Sequence, residues 1–376
     1  MSRFYDLTYF VGDFPPTLSK EELLQAYNPF PLKINVEVWL KTYQSRSNPS
    51  ALEDYFKGRA QAGDDTIAYT ALAHKQICSR RYPVLSKGSK FLLSIPDSRS
   101  LVKDERYLLS SLPKVYRRSL VSPIGTQFVD LDLKTAHPCI LGWLSGDRQL
   151  IEDASGDIHA LLGEMFFSRL PTDIRRTVAK TVNVILPSGG TQYAIKEECL
   201  KLSQKIELSS WSKDIAISLE QAEEIYKWFW NRYAMANDYR KWVYQHIKDL
   251  RAAGAPFRVK WDGLRMFEFS DYLLRGRASK GNKNWTEQDF IQEQRHYERS
   301  AFSAILRAYE RAMMDRLMLC LKHIQPTFGD IHCFCPMYDG ALIVVPESID
   351  LIALAQRLNQ ELLLWGDITT VKIKRI

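Results

Sequence analysis

Short alternating runs and longer helical runs of apolar residues follow each other along the chain, and they predict a mixed α and β protein. The run Gln127–Asp132 alternates weakly and predicts a strand that ends at an edge, with Asp130 and Asp132 on one face. A later helical run carries Arg176 and Lys180 four residues apart, which places both cations on one helix face. Proline and glycine directly after this run predict an early end to the helix.

The C-terminal half has the same mixed pattern. We expect a helix over 298–321, a hairpin turn at Asp339 before a β-prone run, a helix over Ile349–Leu364 and a last strand over Thr369–Ile373. The polar, glycine-containing segment 270–297 predicts an exposed loop, with a tryptophan that could stack on a base. The predicted buried stripe of the first helix is Phe302, Ile305, Leu306, Tyr309, Met313 and Leu317.

The N-terminal third contributes core residues and positive charge. Residues 1–70 predict a mixed, mostly helical region with Trp39, Tyr43 and Tyr55 as core aromatics. The stretch 75–118 holds eleven Lys and Arg residues against three Asp and Glu. One interpretation is a solvated basic surface. The other is a groove that follows nucleic-acid phosphates without sequence preference, and an acidic site directly downstream favours it.

Overall composition permits a nucleic-acid partner without requiring one. The 376 residues have a formal charge of +7, and their apolar content is enough for a sizeable core. No apolar run approaches the roughly 18–20 residues of a membrane span, and the N-terminus does not resemble a signal peptide. The six cysteines lack Cys-x-x-Cys spacing, so we expect neither a zinc knuckle nor disulfides. These features predict a cytoplasmic protein with no membrane partner.

Carboxylates at a strand end followed by paired cations on a helix suggest one class of chemistry. Hard carboxylate oxygens hold Mg²⁺, and two cations on one helix face suit a polyanion such as a triphosphate. The residues therefore favour a metal-dependent nucleotidyl transferase.

The chain also resembles the family A DNA polymerases, the group that contains bacterial DNA polymerase I. The matches occur in the family's order from about residue 106 to 346. Each match is weak by itself, but the whole series in the family's order is specific. Those for motifs A, B and C are Asp132–Asp147, Arg176–Asn183 and Met337–Gly340, and the others are Val115–Pro123, Asp157–His159, Gln221–Tyr233, Asp262–Arg265 and Glu298–Arg299.

This resemblance implies a right-hand polymerase of the α+β class. Residues 1–70 hold no Asp-x-Glu exonuclease pattern, so we expect a compact form without an exonuclease domain. Its expected parts are an antiparallel-sheet palm, helical fingers and a reduced helical thumb. The implied regions are 1–115 for the N-terminal, thumb-like part, 116–156 for the palm with motif A, 157–235 for the fingers, and 236–376 for palm completion with motif C.

The resemblance implies a metal site of two Mg²⁺ ions, which Mn²⁺ could replace. Asp132 and Asp339 are the expected catalytic ligands, with the backbone carbonyl of Leu133 as a further ligand. Gly340 stands where motif C has its second carboxylate, which leaves Asp130 as a candidate substitute.

It also implies how the nucleotide is bound. Arg176 and Lys180 would neutralise the triphosphate, and Lys180 could protonate the departing pyrophosphate. His159 matches a phosphate-contacting histidine, although a lone histidine is more often structural. His137 occupies the position of the family's sugar-selecting glutamate, and its bulk favours dNTPs over ribonucleotides.

Contacts to nucleic acid are expected from Arg117, Arg299 and Arg307. Val184 and Ser188 stand where motif B has aromatic residues. Loss of those rings predicts loose base-pair checking and modest fidelity.

The favoured function is therefore DNA-directed extension of a primer 3′-OH with dNTPs, without proofreading. Its partners would be a DNA primer–template, dNTPs and, where they exist, replication accessory proteins. One alternative is a single-subunit RNA polymerase or primase of the same superfamily. The other is a non-catalytic nucleic-acid-binding replication protein that kept the fold. Replacing His137 by Gly distinguishes the DNA polymerase from the RNA polymerase or primase. Asp132→Ala distinguishes an enzyme from a non-catalytic binding protein.

Overall fold

The structure is a computed structural model, and its described residues form two compact units. The helical unit is Lys134–Glu310, and the sheet unit combines the described residues up to Leu133 with those from Arg311 onwards. Within these ranges, no helix has both the length and the apolar character needed to cross a bilayer. The described residues are 32–46, 49, 51–62, 66–67, 114–253, 257–260, 266–269, 287–336, 340–364 and 370–375.

An antiparallel sheet is the centre of the sheet unit. Its strands lie in the order β7-β8-β4-β9, and each neighbouring pair is antiparallel. This arrangement confirms the α+β class with a small antiparallel sheet. The strands are β4 (Thr126–Leu133), β7 (His332–Pro336), β8 (Gly340–Pro346) and β9 (Val371–Arg375).

Burial in β4 follows the alternation seen in its sequence. Val129, Leu131 and Leu133 are buried, whereas Asp130 and Asp132 remain partly exposed. Val129, Leu131 and Leu133 therefore face the core on one side of β4, and both carboxylates lie on the other side, as predicted.

The chain ends with a helix and a strand, close to the predicted bounds. Helix α12 spans Leu351–Leu364 and packs on β9. Asp350 begins the helix, because its carboxylate accepts hydrogen bonds from the backbone N–H groups of Ile352 and Ala353.

A second, smaller sheet accompanies the N-terminal helices of this unit. Trp39 is buried against Tyr116, with ring centroids 4.3 Å apart, which confirms it as a core residue. Tyr43 is only half-buried and donates its hydroxyl to Asp54, so its prediction as a core aromatic was wrong. The Tyr55 side chain and residues 75–113 lie outside the description. The elements are β1 (Leu32–Ile34), β2 (Thr66–Ile67), β3 (Leu120–Val121), α1 (Val36–Gln44), α2 (Ala51–Gln61) and a 3₁₀ helix (Lys114–Ser119).

The helical unit consists of short helices and one two-stranded ribbon. Small residues let its helices approach closely: a Cβ atom added at Gly163 would lie 2.8 Å from Arg175 Cγ. The helices are α3 (Ala136–Ser145), α4 (Arg148–Ser155), α5 (Ile158–Phe166), α6 (Thr172–Ile185), α7 (Gln192–Ser203), α8 (Ser212–Ile215), α9 (Leu219–Arg232) and α10 (Ala234–Ala252), with strands β5 (Phe257–Lys260) and β6 (Met266–Phe269).

The long helix α11 spans Glu287–Phe328, and its residues belong to both units. The prediction of a loop up to residue 297 was therefore wrong for 287–297, while 270–286 lie outside the description. Residues 287–297 contain few apolar positions, so a helical stripe was not visible there. The predicted stripe from Phe302 to Leu317 is buried throughout.

Candidate functional site

The exposed end of β4 places Asp132 between two very different neighbours. Its register partner in β8 is Gly340, and its partner in β9 is Lys372. Register partners in antiparallel strands have their side chains on the same side of the sheet. One flank of the carboxylate therefore has no side chain, and the other carries a cation.

Gly340 is required by the close approach of β4. A Cβ atom at this position would lie 2.3 Å from the Leu131 carbonyl oxygen and 3.3 Å from Asp132 Oδ1. A side chain cannot occupy this position without moving the strand. Asp339, the preceding residue, lies outside the described residues.

Asp130, two residues before Asp132 on the same strand, forms an ion pair with Arg117. Arg117 Nη1 lies 2.5 Å from Asp130 Oδ1, and only 12% and 19% of the two side chains are exposed. Arg117, predicted to contact nucleic acid, therefore neutralises the candidate substitute ligand. The register partner of Asp130 in β9 is Lys374.

An unusual turn follows Asp132. Thr135 has φ 48°, the positive-φ non-glycine among the described residues. This left-handed conformation is unfavourable for a β-branched residue. The Thr135 hydroxyl donates to the Ala154 carbonyl at 2.7 Å, and the Lys134 amine bonds the Ser155 carbonyl. These bonds fix the start of α3.

His137, in the first turn of α3, is held at both ring nitrogens. Nε2 lies 3.3 Å from Glu310 Oε2 in α11, and Nδ1 lies 3.4 Å from the Ser188 hydroxyl after α6. The ring is therefore fixed between three elements of the helical unit. Sequence reasoning identified His137 but not Glu310, because their contact spans 173 positions of the chain.

Helix α6 presents its predicted cations to solvent. Asp173, Arg176, Lys180 and Val184 are exposed along one face, while Val178, Ala179 and Val182 are buried. The helix ends at Ile185, as predicted. Gly189 then adopts φ +79°, and a Cβ atom there would lie 2.9 Å from the Tyr244 hydroxyl.

Arg176 pairs with Asp157, the N-cap of α5. The Asp157 carboxylate also accepts a hydrogen bond from the Ala160 N–H at 3.1 Å. Partial burial raises the pKa of Asp157, but the Ala160 N–H and Arg176 outweigh it and hold that pKa below its usual value. Both side chains are 44% exposed, so Arg176 is accessible to a ligand.

His159 is held from within α6 by a buried side chain. The Asn183 amide donates to His159 Nδ1 at 3.1 Å and to the Ile158 carbonyl at 3.0 Å, and Asn183 is 1% exposed. Because Nδ1 accepts this bond, a neutral His159 ring carries its proton on Nε2. Asn183 lies three residues after Lys180, so the same helix supplies a cation and orients the imidazole.

The remaining predicted residues are only partly described. Arg299 lies on α11, with its Cα 3.9 Å from a Cβ atom built at Gly189. Arg307 lies in the same helix, but its side chain is outside the description. Among the described residues, no three His, Cys, Asp or Glu side chains group closely enough to hold a metal ion.

No protein-family model matches the chain, and no curated protein matches it in sequence. Solved structures do resemble it. One is the POL domain of Pol1 from M. smegmatis in complex with DNA primer-template and dNTP, with a TM-score of 0.54 and 14% sequence identity. The match covers 91% of this chain and 66% of that chain, so this chain spans about two thirds of that domain. At this identity the likeness shows a polymerase-like fold.

Proposed function

We propose that this protein is a template-directed DNA polymerase that extends a primer 3′-OH with dNTPs. The observation that carries the proposal is the β4–β8 register, in which Gly340 lies opposite Asp132. Gly340 is the last residue of the motif C match, so this register is what we expect if motifs A and C lie side by side. The polymerase-like fold supports this proposal independently.

The residues at this edge suit a divalent metal site. Asp132 is partly exposed, and no side chain from position 340 covers its carboxylate. Asp132, Asp339 and the Leu133 carbonyl would hold two Mg²⁺, which Mn²⁺ could replace. Such ions stabilise the charge of the attacking and leaving oxygens in phosphoryl transfer. Asp130 contributes less to this site, because Arg117 already engages it.

The helical unit supplies the groups that bind the triphosphate. Arg176 and Lys180 lie on the exposed face of α6, and His159 is oriented by Asn183 from the same helix. Together they would neutralise the phosphate charge and hold the leaving group in place. Lys180 would also protonate the departing pyrophosphate.

In this proposal the β4-centred sheet is the palm, and the helices around α6 are the fingers. We assign residues 1–115 to the reduced thumb-like region, and Arg299 and Arg307 would contact the primer–template. Arg117 could do so only by leaving Asp130, with which it is paired. The enzyme has no proofreading activity, and accessory proteins could join it in replication.

His137 would select the sugar. Glu310 and Ser188 hold its ring in one orientation, so it can block a ribose 2′-OH by its bulk. His137→Gly should then raise ribonucleotide incorporation severalfold relative to dNTP incorporation. An RNA polymerase or primase, the second candidate function, would show little change.

Primer extension tests the main proposal. Purified protein is incubated with Mg²⁺ and a labelled primer–template, with dNTPs or NTPs offered separately, and then with a bare template. We expect dNTP-dependent extension, which Asp132→Asn abolishes while leaving primer–template binding intact.

Glu347→Gln is the matched control, because this exposed acid follows the opposite end of β8. It should extend the primer like the unmodified protein. Binding without extension by the unmodified protein in Mg²⁺ and Mn²⁺ would instead favour a non-catalytic module.

A further inference from the structure

The edge strand β9 carries alternate lysines next to the acids of β4. Lys372 is the register partner of Asp132, and Lys374 is that of Asp130. Both lysines are exposed, whereas Val371 is buried on the other side of the strand. The sheet order leaves β9 with one described neighbour, β4. Two cations therefore stand in a row along the acidic side of β4.

Apolar side chains cover the middle of this side of the sheet. Phe128, Leu342 and Val344, which alternate in register with the acids, are buried at 6%, 1% and 3% exposure. Among the described residues on this side of the sheet, Lys372 and Lys374 beside Asp132 are the most exposed. A ligand that reaches Asp132 over this corner meets both lysines.

Sheet stability alone gives a weaker account of the lysines. Cross-strand charge pairs contribute little to stability when both side chains are exposed. Asp130 already has Arg117 as its partner at 2.5 Å, so it has little need of Lys374. Lysine is a mobile point charge on a long stem, which suits phosphates of a strand that moves through a site.

We propose that Lys372 and Lys374 bind consecutive backbone phosphates of the nucleic-acid strand whose end lies at Asp132. This inference rests on the proposed polymerase function and identifies β9 as the element that holds the strand being extended. The lysines lie two residues apart on one side of β9, about 6.5–7 Å, which is close to the spacing of adjacent phosphates along a strand.

Binding measured at several salt concentrations tests the inference without any chemistry. The probe is a fluorescent primer–template in KCl without Mg²⁺ or dNTPs, and the variants are Lys372→Gln and Lys374→Gln. Each lost phosphate contact lowers the slope of log affinity against log salt by about 0.9. For each variant we compare its affinity with that of the unmodified protein at the same salt concentration. We expect this loss of affinity to be about threefold larger at 50 mM than at 200 mM KCl.

Arg375→Gln is the matched control. Arg375 is exposed on the same strand and carries the same charge, but alternation places it on the opposite side, in register with Val129. Its loss should leave the salt slope unchanged. If all three variants lowered the salt slope by the same amount, the effect would be one of overall charge, and the inference would be overturned.

A chemically modified primer locates the contacts. Replacing single 3′-terminal linkages by neutral methylphosphonates should weaken binding by the unmodified protein. The Lys372→Gln variant should be insensitive at one linkage, and Lys374→Gln at the adjacent one. Lysine variants that lower only the melting temperature, with unchanged slopes and unchanged sensitivity, would assign the lysines to sheet stability. The polymerase proposal fails separately, through absent extension by a protein with normal salt slopes.

Discussion

The sheet unit and the helical unit position their candidate residues by different means. In the sheet unit, backbone register alone sets Asp132 against Gly340 and Lys372. In the helical unit, side-chain hydrogen bonds set the functional groups: Asp157 holds Arg176, and Asn183 holds His159. The candidate residues of the sheet unit are therefore positioned by main-chain hydrogen bonds between strands. Those of the helical unit are positioned by single side-chain hydrogen bonds.

This difference predicts how the sheet unit and the helical unit respond to substitution. A side chain on β4 can change without moving its neighbours, so Asp132→Asn should remove chemistry and preserve structure. The helical unit has a supporting residue for each functional group, and losing the support should misplace a group that is itself intact. The sheet unit is vulnerable only where the backbone approach is closest.

Gly340→Ala should therefore have the largest effect on stability. The added Cβ atom would lie 2.3 Å from the Leu131 carbonyl oxygen, so β4 and β8 must separate. We expect a loss of about 1–3 kcal/mol in the free energy of unfolding, measured by chemical denaturation. Displacement of Asp132 should abolish primer extension as well.

Gly58→Ala is the control for this change. Gly58 lies in α2 with nothing within 4 Å of a built Cβ atom. Alanine in an open helical position should stabilise by about 0.5–1 kcal/mol. A Gly340→Ala variant as stable as the unmodified protein would mean that β4 and β8 are not locked at this point.

Asn183→Ala tests the helical unit and should have an intermediate effect. Asn183 is buried and donates to both His159 Nδ1 and the Ile158 carbonyl. We expect a loss of about 1–2 kcal/mol in the free energy of unfolding. His159 should also lose its preference for the Nε2-protonated tautomer, which ¹⁵N chemical shifts of the imidazole report directly.

Thr177→Ala provides the comparison on the same helix. The exposed Thr177 hydroxyl bonds only within α6, to the Asp173 carbonyl. Its removal should change neither stability nor the His159 tautomer. An unchanged tautomer in Asn183→Ala would show that His159 is oriented by something else.

Local patterns predicted the elements of both units better than their contacts. The alternation around Asp130 and Asp132, and the end of α6 before Pro187, follow from residues within one or two turns. The partners Lys372 and Gly340 depend instead on strand register between residues more than 200 positions apart. No local period contains that information.

Polar contacts were missed for a related reason. Glu310 and Asn183 lie within predicted helices, where an acid or an amide reads as an ordinary exposed position. The contact of Glu310 with His137 depends on how α11 lies against α3, and that of Asn183 with His159 on how α6 packs on α5. The start of α11 at Glu287 was missed because a polar helix end lacks an apolar stripe.

Asp157→Asn should have the smallest effect on stability and isolates one charge. Asparagine keeps the N-cap acceptor for the Ala160 N–H, so only the ion pair with Arg176 is lost. Both partners are 44% exposed, which limits the loss to about 0.2–1 kcal/mol at pH 7.

The pH dependence of this difference identifies its origin. The pKa of Asp157 is lower in the folded protein, so its stabilising effect is complete above about pH 4, the ordinary value of an aspartate. The effect should disappear as the pH falls through the folded pKa, so the unmodified protein and Asp157→Asn converge in acid. Glu198→Gln, which removes the exposed Lys201 pair on α7, is the control for a surface charge outside the site. If the Asp157→Asn difference persisted at low pH, the carboxylate charge would not be its cause, and Arg176 would have to be held by packing alone.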